Sequence, residues 1–195
     1  MRRRLVTLCL LAVVALVAAA CGDDGNTSSA ADKGSSNDAD ATFAQGMIPH
    51  HDQAIEMAEI ALDPTVGASR QVRDLATRIK QAQDPEIEMM AGWLDAWGEE
   101  MPMDSSGGHD MSSMDDASSM QGMMSAEDMA TLRAARGASF NTTWLQMMVR
   151  HHQGAIAMAE VVKAEGSDPA VRALADRIIA AQQAEIDEMN TALGK

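Results

Sequence analysis

Two adjacent histidine pairs, His50-His51 and His151-His152, are the residues best suited to chemistry, and each sits in a stretch with helical spacing. A helix advances about 100° per residue, so Met47, His50, His51, Ala54, Met57 and Ala58 share one face. The second stretch places Met148, His151, His152, Ala155, Met158 and Ala159 in the same way and adds Met147. Imidazole nitrogen with thioether sulfur is a donor set for copper: soft sulfur favours Cu(I), and imidazole accepts either oxidation state or zinc. Methionine also suits an oxidising compartment, because it binds without losing a proton and forms no disulfide. The alanines between the donors would let two helices approach closely enough to share ligands. The competing reading makes the methionines core filler and the histidines hydrogen-bonding groups inside the protein. Four buried imidazoles leave many polar nitrogens to satisfy, and the pair occurs twice, so the expectation is a metal site.

A second group of donors crowds the middle of the chain. Met101, Met103, Met111, Met114, Met120, Met123 and Met124 surround His109 and several acids. A flexible cluster of this kind can wrap a soft monovalent ion, which predicts an accessory copper or silver site; the alternative is a solvated linker, for which Ser, Gly and Asp alone would suffice. Glu59 and Glu160 fall on the face away from the histidines. Glu86 and Glu185, with Gln83 and Gln182, lie toward the apolar faces of the partner helices and are expected to orient imidazoles.

The elements that must hold these side chains form an internal repeat. HHDQAIEMAE from His50 matches HHQGAIAMAE from His151, and QVRDLATRIKQAQDPEIEMM from Gln71 matches AVRALADRIIAAQQAEIDEM from Ala170. Each copy therefore reads as a pair of helices, with Asp63-Pro64 and Gly166-Ser167-Asp168-Pro169 between the members. Pro85 is expected to bend the second helix, which runs on toward Trp97. Ser125 to Asp128 starts the third helix, Gly137 breaks or bends it, and Leu174, Ile178, Ile186 and Met189 line the fourth. With no Tyr, two Phe and three Trp, the core must come from Ala, Leu, Ile, Val and Met, a palette that favours helices. The expectation is an all-α bundle over residues 42–195, interrupted by a methionine-rich connection at 98–124.

The N-terminus predicts export. Arg2, Arg3 and Arg4 precede an apolar run from Leu5 to Val17 and three alanines before Cys21, the layout of a cleaved signal over residues 1–20. The run is too short to read as a membrane span. Cys21 resembles the lipidated cysteine of bacterial lipoproteins, although Ala18 replaces the commoner leucine. Residues 21–41, nearly free of apolar side chains, read as a disordered tether of roughly 25 Å reach. Loss of Cys9 with the signal and acylation of Cys21 would leave no thiol in the folded part. Without the signal, twelve basic residues face twenty-nine acidic ones, a net charge of −17. Such a chain repels nucleic acid.

The segments MIPHHDQAIEMAE and MMVRHHQGAIAMAE, with Gln83-x-x-Glu86-Ile87 and Gln182-x-x-Glu185-Ile186, resemble the bacterial family catalogued as domain of unknown function 305. The resemblance covers Phe43 to Leu193. It implies a ferritin-like four-helix bundle made of two repeated hairpins, usually exported, with some members associated with copper binding and tolerance. Carried over by position, it points to Met47, His50, His51 and Met57 and to Met148, His151, His152 and Met158. One departure is Asn141 after Phe140, where the family often has aspartate, which puts in question any ligand or helix-orienting role of that carboxylate.

Ferritin-like architecture also invites a di-iron oxidase, but no Glu stands three residues before any histidine. A zinc hydrolase lacks HExxH. The expectation is thus a membrane-anchored, extracytoplasmic copper-binding lipoprotein that is not an enzyme. The alternative is a metal-independent module docking an envelope protein through its bundle surface or methionine-rich connection.

Overall fold

The computed structural model describes residues 36–102 and 121–195, and these are all helix and connection, with no strand among them. Helix α1 spans Asp38–Leu62 and a 3₁₀ turn Pro64–Val66 leads to α2, Arg70–Trp97. After the connection come a short α3, Ala126–Ala134, then α4, Gly137–Glu165, and α5, Pro169–Ala192. The signal segment, Cys21 and most of the tether lie outside the described residues, as do His109, Met103, Met111, Met114 and Met120. None of the described helices is long and apolar enough to cross a membrane.

Local chemistry sets the ends. Helix α1 begins at Asp38, inside the stretch expected to be tether, because the Asn37 side chain accepts from the backbone of Asp40 while Asp40 accepts from Asn37. Ser125 and Asp128 form the same reciprocal cap on α3. The expected third helix is two helices: α3 stops at Ala134, and α4 restarts at Gly137, whose φ of +55° lies in the left-handed region that glycine tolerates. Helix α2 continues as one element past Pro85.

Packing follows from the order of apolar residues along each helix. One core cluster takes the second half of α1 (Ala54 to Ala61), the first halves of α2 and α4, and the end of α5. The other takes the start of α1 (Phe43 to Ile48), the end of α2, the second half of α4 and the start of α5. The two hairpins, α1–α2 and α4–α5, are therefore antiparallel pairs, and α1 runs antiparallel to α4. Two apolar clusters occupy opposite ends of the four long helices. The segment of each helix that belongs to neither, near its middle, carries the buried polar side chains His50, His51, Gln83, His151, His152 and Gln182.

Two groups lock the ends of the hairpins. The Asp40 carboxylate, fully buried, accepts from the backbone N–H groups of Ser167 (3.0 Å) and Asp168 (3.0 Å) in the α4–α5 turn. At the corresponding place in the other half, Asn141 Oδ1 accepts from the Ser69 N–H in the turn before α2, at 2.9 Å. An amide oxygen thus does the helix-orienting work there. Asn141 stands ten residues, about 15 Å of helix, before His151, too far along α4 to act as a ligand beside it.

The repeat breaks where the end of the connection crosses α1 and α4. Gln53 Nε2 donates to the Met124 carbonyl at 2.9 Å, and Gln53 Oε1 accepts from the Met124 N–H at 2.6 Å. The matching residue of the second copy is Gly154, and a Cβ there would lie 1.9 Å from the Gln121 carbonyl oxygen and 2.8 Å from Gly122 Cα. Gly154→Ala should therefore lower stability by about 1–3 kcal/mol through forced displacement of backbone. Gly92→Ala in α2, whose Cβ would meet nothing within 4 Å, should raise it by about 0.5–1 kcal/mol. Thermal or urea unfolding of the two variants checks both signs, and equal effects would contradict the close approach at Gly154.

Candidate metal centre

The repeat positions the two histidines of each pair differently. Antiparallel crossing of α1 and α4 brings His50 of the first hairpin against His151 of the second, with ring centroids 3.8 Å apart and planes tilted by 40°. Ala54, Ala58, Ala155 and Ala159, all fully buried, keep the side chains between the two helices small. His51 and His152 instead turn toward their own hairpin partners. His51 Nε2 lies 2.8 Å from Glu86 Oε2 on α2, and His152 Nε2 lies 2.6 Å from Glu185 Oε2 on α5. All four imidazoles are fully buried, while the glutamate side chains keep about a fifth of their surface in solvent, 20% and 18%.

Their remaining hydrogen-bonding capacity is unmet among the described residues. Both ring nitrogens of His50 and of His151, and Nδ1 of His51 and His152, have no hydrogen-bond partner. The amide oxygens of Gln83 and Gln182, one turn before the two glutamates, are in the same position. Eight of the nine buried side-chain nitrogen and oxygen atoms without a partner among the described residues belong to this one layer. Each such group costs about 1–3 kcal/mol when left unpaired, so their concentration in one layer makes that layer the candidate site.

The same burial decides the charge state of the central pair. Loss of solvent pushes the His50 imidazole down to about 3, and the neighbouring His51 acts in the same sense, against a smaller opposing effect from the Gln121 backbone. Burial also holds His151 well below the ordinary histidine value, with repulsion from His50 next in size. Neutral imidazole keeps a lone pair, which is the form a metal ion needs.

The thioethers do not gather around the four rings as one set. Met57 and Met148 belong to the apolar cluster at one end of the helices. Met47 belongs to the other, and Met158, only partly buried, packs against it. Met147 is partly buried against the first cluster. Met47 and Met148 each precede the central histidine of their helix by one turn, whereas Met57 lies two turns beyond His50, about 10 Å along the axis. Among the described residues, no three His, Cys, Asp or Glu side chains converge to hold an ion by themselves. In the connection, Met101 is exposed and Met124 is buried in the core, its sulfur 2.8 Å from Arg150 Nη2. Glu59 lies on the surface, 3.1 Å from Lys80 Nζ.

Sequence reasoning passed over Gln53, Gly154 and Asp40. For the first two the available signal was the mismatch between copies, HHDQ against HHQG, with a glycine in mid-helix. For Asp40 it was the alignment of that residue with Asn141.

A pH dependence follows. The native pKa of His50 is depressed, so the neutral form folds preferentially: its contribution is complete above the unfolded value of 6.5 and is lost as the pH falls toward about 3. At pH 5 the loss from His50 alone should be about 2 kcal/mol, and His151 adds a loss of the same sign. His50→Leu with His151→Leu should flatten stability between pH 7 and pH 5, roughly the range over which an unperturbed histidine titrates. Urea unfolding across that range is the check, and an unchanged slope would contradict the burial argument.

Comparison with known proteins supports the same frame. The profile of the domain of unknown function DUF305 matches residues 40–193. A DUF305 protein from Streptomyces coelicolor is 35% identical, over 80% of this chain and 92% of that one, with a TM-score of 0.68. A DUF305 fragment from Deinococcus radiodurans is 30% identical, over 83% and 99% of the two chains, with a TM-score of 0.69. The CopM protein in its Cu(II)-bound form is 32% identical, over 78% and 93%, with a TM-score of 0.62. CopM is also solved in Cu(I)-bound and Ag-bound forms, at 30% and 28% identity. Comparison with curated proteins returns no match. Both halves of the repeat fall inside the matched region, and the chain belongs to the DUF305 family.

Proposed function

We propose that this protein binds copper in the polar layer between its two apolar clusters, and that it sequesters or hands on the metal as an exported lipoprotein anchored through Cys21. The observation that carries this reading is the set of six partnerless ring nitrogens on four fully buried imidazoles. Such groups fit a metal bound by neutral nitrogen, and no thiolate is needed. His50, His51, His151 and His152 would supply nitrogen. Met47 and Met148, one turn away, are the nearest sulfur donors along the helices; Met57 and Met158 stand further off. The copper-bound and silver-bound forms of CopM, at about 30% identity, support a soft-metal preference.

A ferritin-like arrangement of the four long helices, with α3 as an appendage, belongs to this reading. The accessory role of Met111, Met114, Met120, Met123 and His109 rests on their composition alone. Export rests on the signal layout of residues 1–20, and the tether would hold the helical domain just off the outer face of the membrane.

The affinity of the full-length chain for Cu(I), measured by competition with a colorimetric chelator, tests the site. His50→Leu with His151→Leu should weaken binding at least about tenfold, or about 1.4 kcal/mol. Met47→Leu with Met148→Leu, which conserves volume, should give a smaller loss, and Met111→Leu with Met114→Leu the least. Parental affinity in the double-histidine variant would remove the helical site and leave docking of an envelope protein as the function to pursue.

A further inference from the structure

We propose that Glu86 and Glu185 are positioning residues that hold His51 and His152 as Nε2–H tautomers, so that Nδ1 is the atom each ring presents to a metal. The proposal rests on the copper reading above for the word metal, but the tautomer itself is a property of the metal-free protein.

A neutral imidazole carries one proton and one lone pair, and the partner of one nitrogen decides which atom holds which. Here Nε2 of each ring lies 2.8 Å or 2.6 Å from a glutamate oxygen. A carboxylate oxygen accepts, so Nε2 must bring the proton. The opposite tautomer would set a nitrogen lone pair against an oxygen lone pair at that distance. It would also leave a buried Nδ1–H with no acceptor, since Nδ1 has no partner in either ring. That arrangement loses a charge-assisted hydrogen bond, and since Nδ1 is unpaired in either tautomer the Nε2 contact decides between them.

The two copies agree independently, because α2 and α5 supply the glutamates from different halves of the chain. The central pair has no carboxylate guide: no side chain among the described residues hydrogen-bonds to either nitrogen of His50 or His151. The layer therefore holds two rings of fixed orientation and two whose donor atom is free to be chosen by the ligand. Carboxylate contact also raises the basicity of the opposite ring nitrogen, which strengthens Nδ1 as a donor.

Long-range proton–nitrogen correlation of the full-length chain carrying nitrogen-15 histidine, without metal at pH 7, reads each ring directly. The expected spectrum shows two rings with protonated Nε2 and unprotonated Nδ1, assigned by their loss in His51→Leu and His152→Leu. Glu86→Leu should convert the His51 ring to a tautomer mixture and leave His152 unchanged. A parental spectrum with Nδ1 protonated, or with both nitrogens protonated, overturns the proposal whether or not the leucine variants fold. A fixed Nε2–H tautomer persisting in folded Glu86→Leu overturns the role of the glutamate. Addition of Ag(I) should then shift Nδ1 of His51 and His152 while their Nε2 protons persist. Displacement of the Nε2 proton instead sinks this proposal alone; no shift at any imidazole sinks the metal reading and leaves only the tautomer standing.

Discussion

The structure depends on one constraint: four imidazoles are placed where water does not reach, between two apolar clusters that meet from opposite ends of four helices. Exclusion of water forbids charge on the central pair, which is why His50 and His151 are driven to the neutral form. It also leaves their nitrogens without partners. A core assembled for stability alone would fill this layer with leucine. Retaining imidazole there costs stability, and proteins accept such costs at functional sites.

Everything around the layer serves to keep it closed and aligned. The alanines on α1 and α4 permit the close crossing that packs His50 against His151, and the glutamates of α2 and α5 hold the outer two rings from the solvent side. The Asp40 and Asn141 side chains each accept from the turn of the other hairpin, and so tie the two hairpins to one another away from the histidines. The near-twofold symmetry is broken where Gln53 clamps Met124 and Gly154 admits the Gln121–Gly122 backbone. This break brings the end of the methionine-rich connection onto the same two helices that carry the histidines.

Much of this was legible in the sequence. The repeat located both hairpins, because helical periodicity survives in each copy, and the shared face of His50, His51, His151 and His152 followed from spacing alone. The contact of Glu86 and Glu185 with the histidines was visible as a matter of helix face, though not which ring each would reach. Other features are not encoded by periodicity. Helix α1 starts early because a capping box at Asn37 outweighs the polar composition of the preceding stretch, whereas the break between α3 and α4 was legible from Gly137 itself. The division of the thioethers between two clusters is a consequence of antiparallel crossing: residues at equal helical phase but different heights end in different places.

The central claim is that the buried histidines are kept for a soft metal ion and not for the fold. The most direct measurement is the thermal unfolding midpoint of the full-length chain, with and without excess Ag(I), compared with a variant in which His50, His51, His151 and His152 are all leucine. A ligand present at a hundred times its dissociation constant adds about 2.7 kcal/mol to the native state, a rise of roughly 5–10 °C for a chain of this size. The account predicts that rise in the parent, its absence in the variant, and a metal-free variant at least as stable as the parent. A variant that unfolds earlier without metal, or one that gains the same rise with Ag(I), would contradict it.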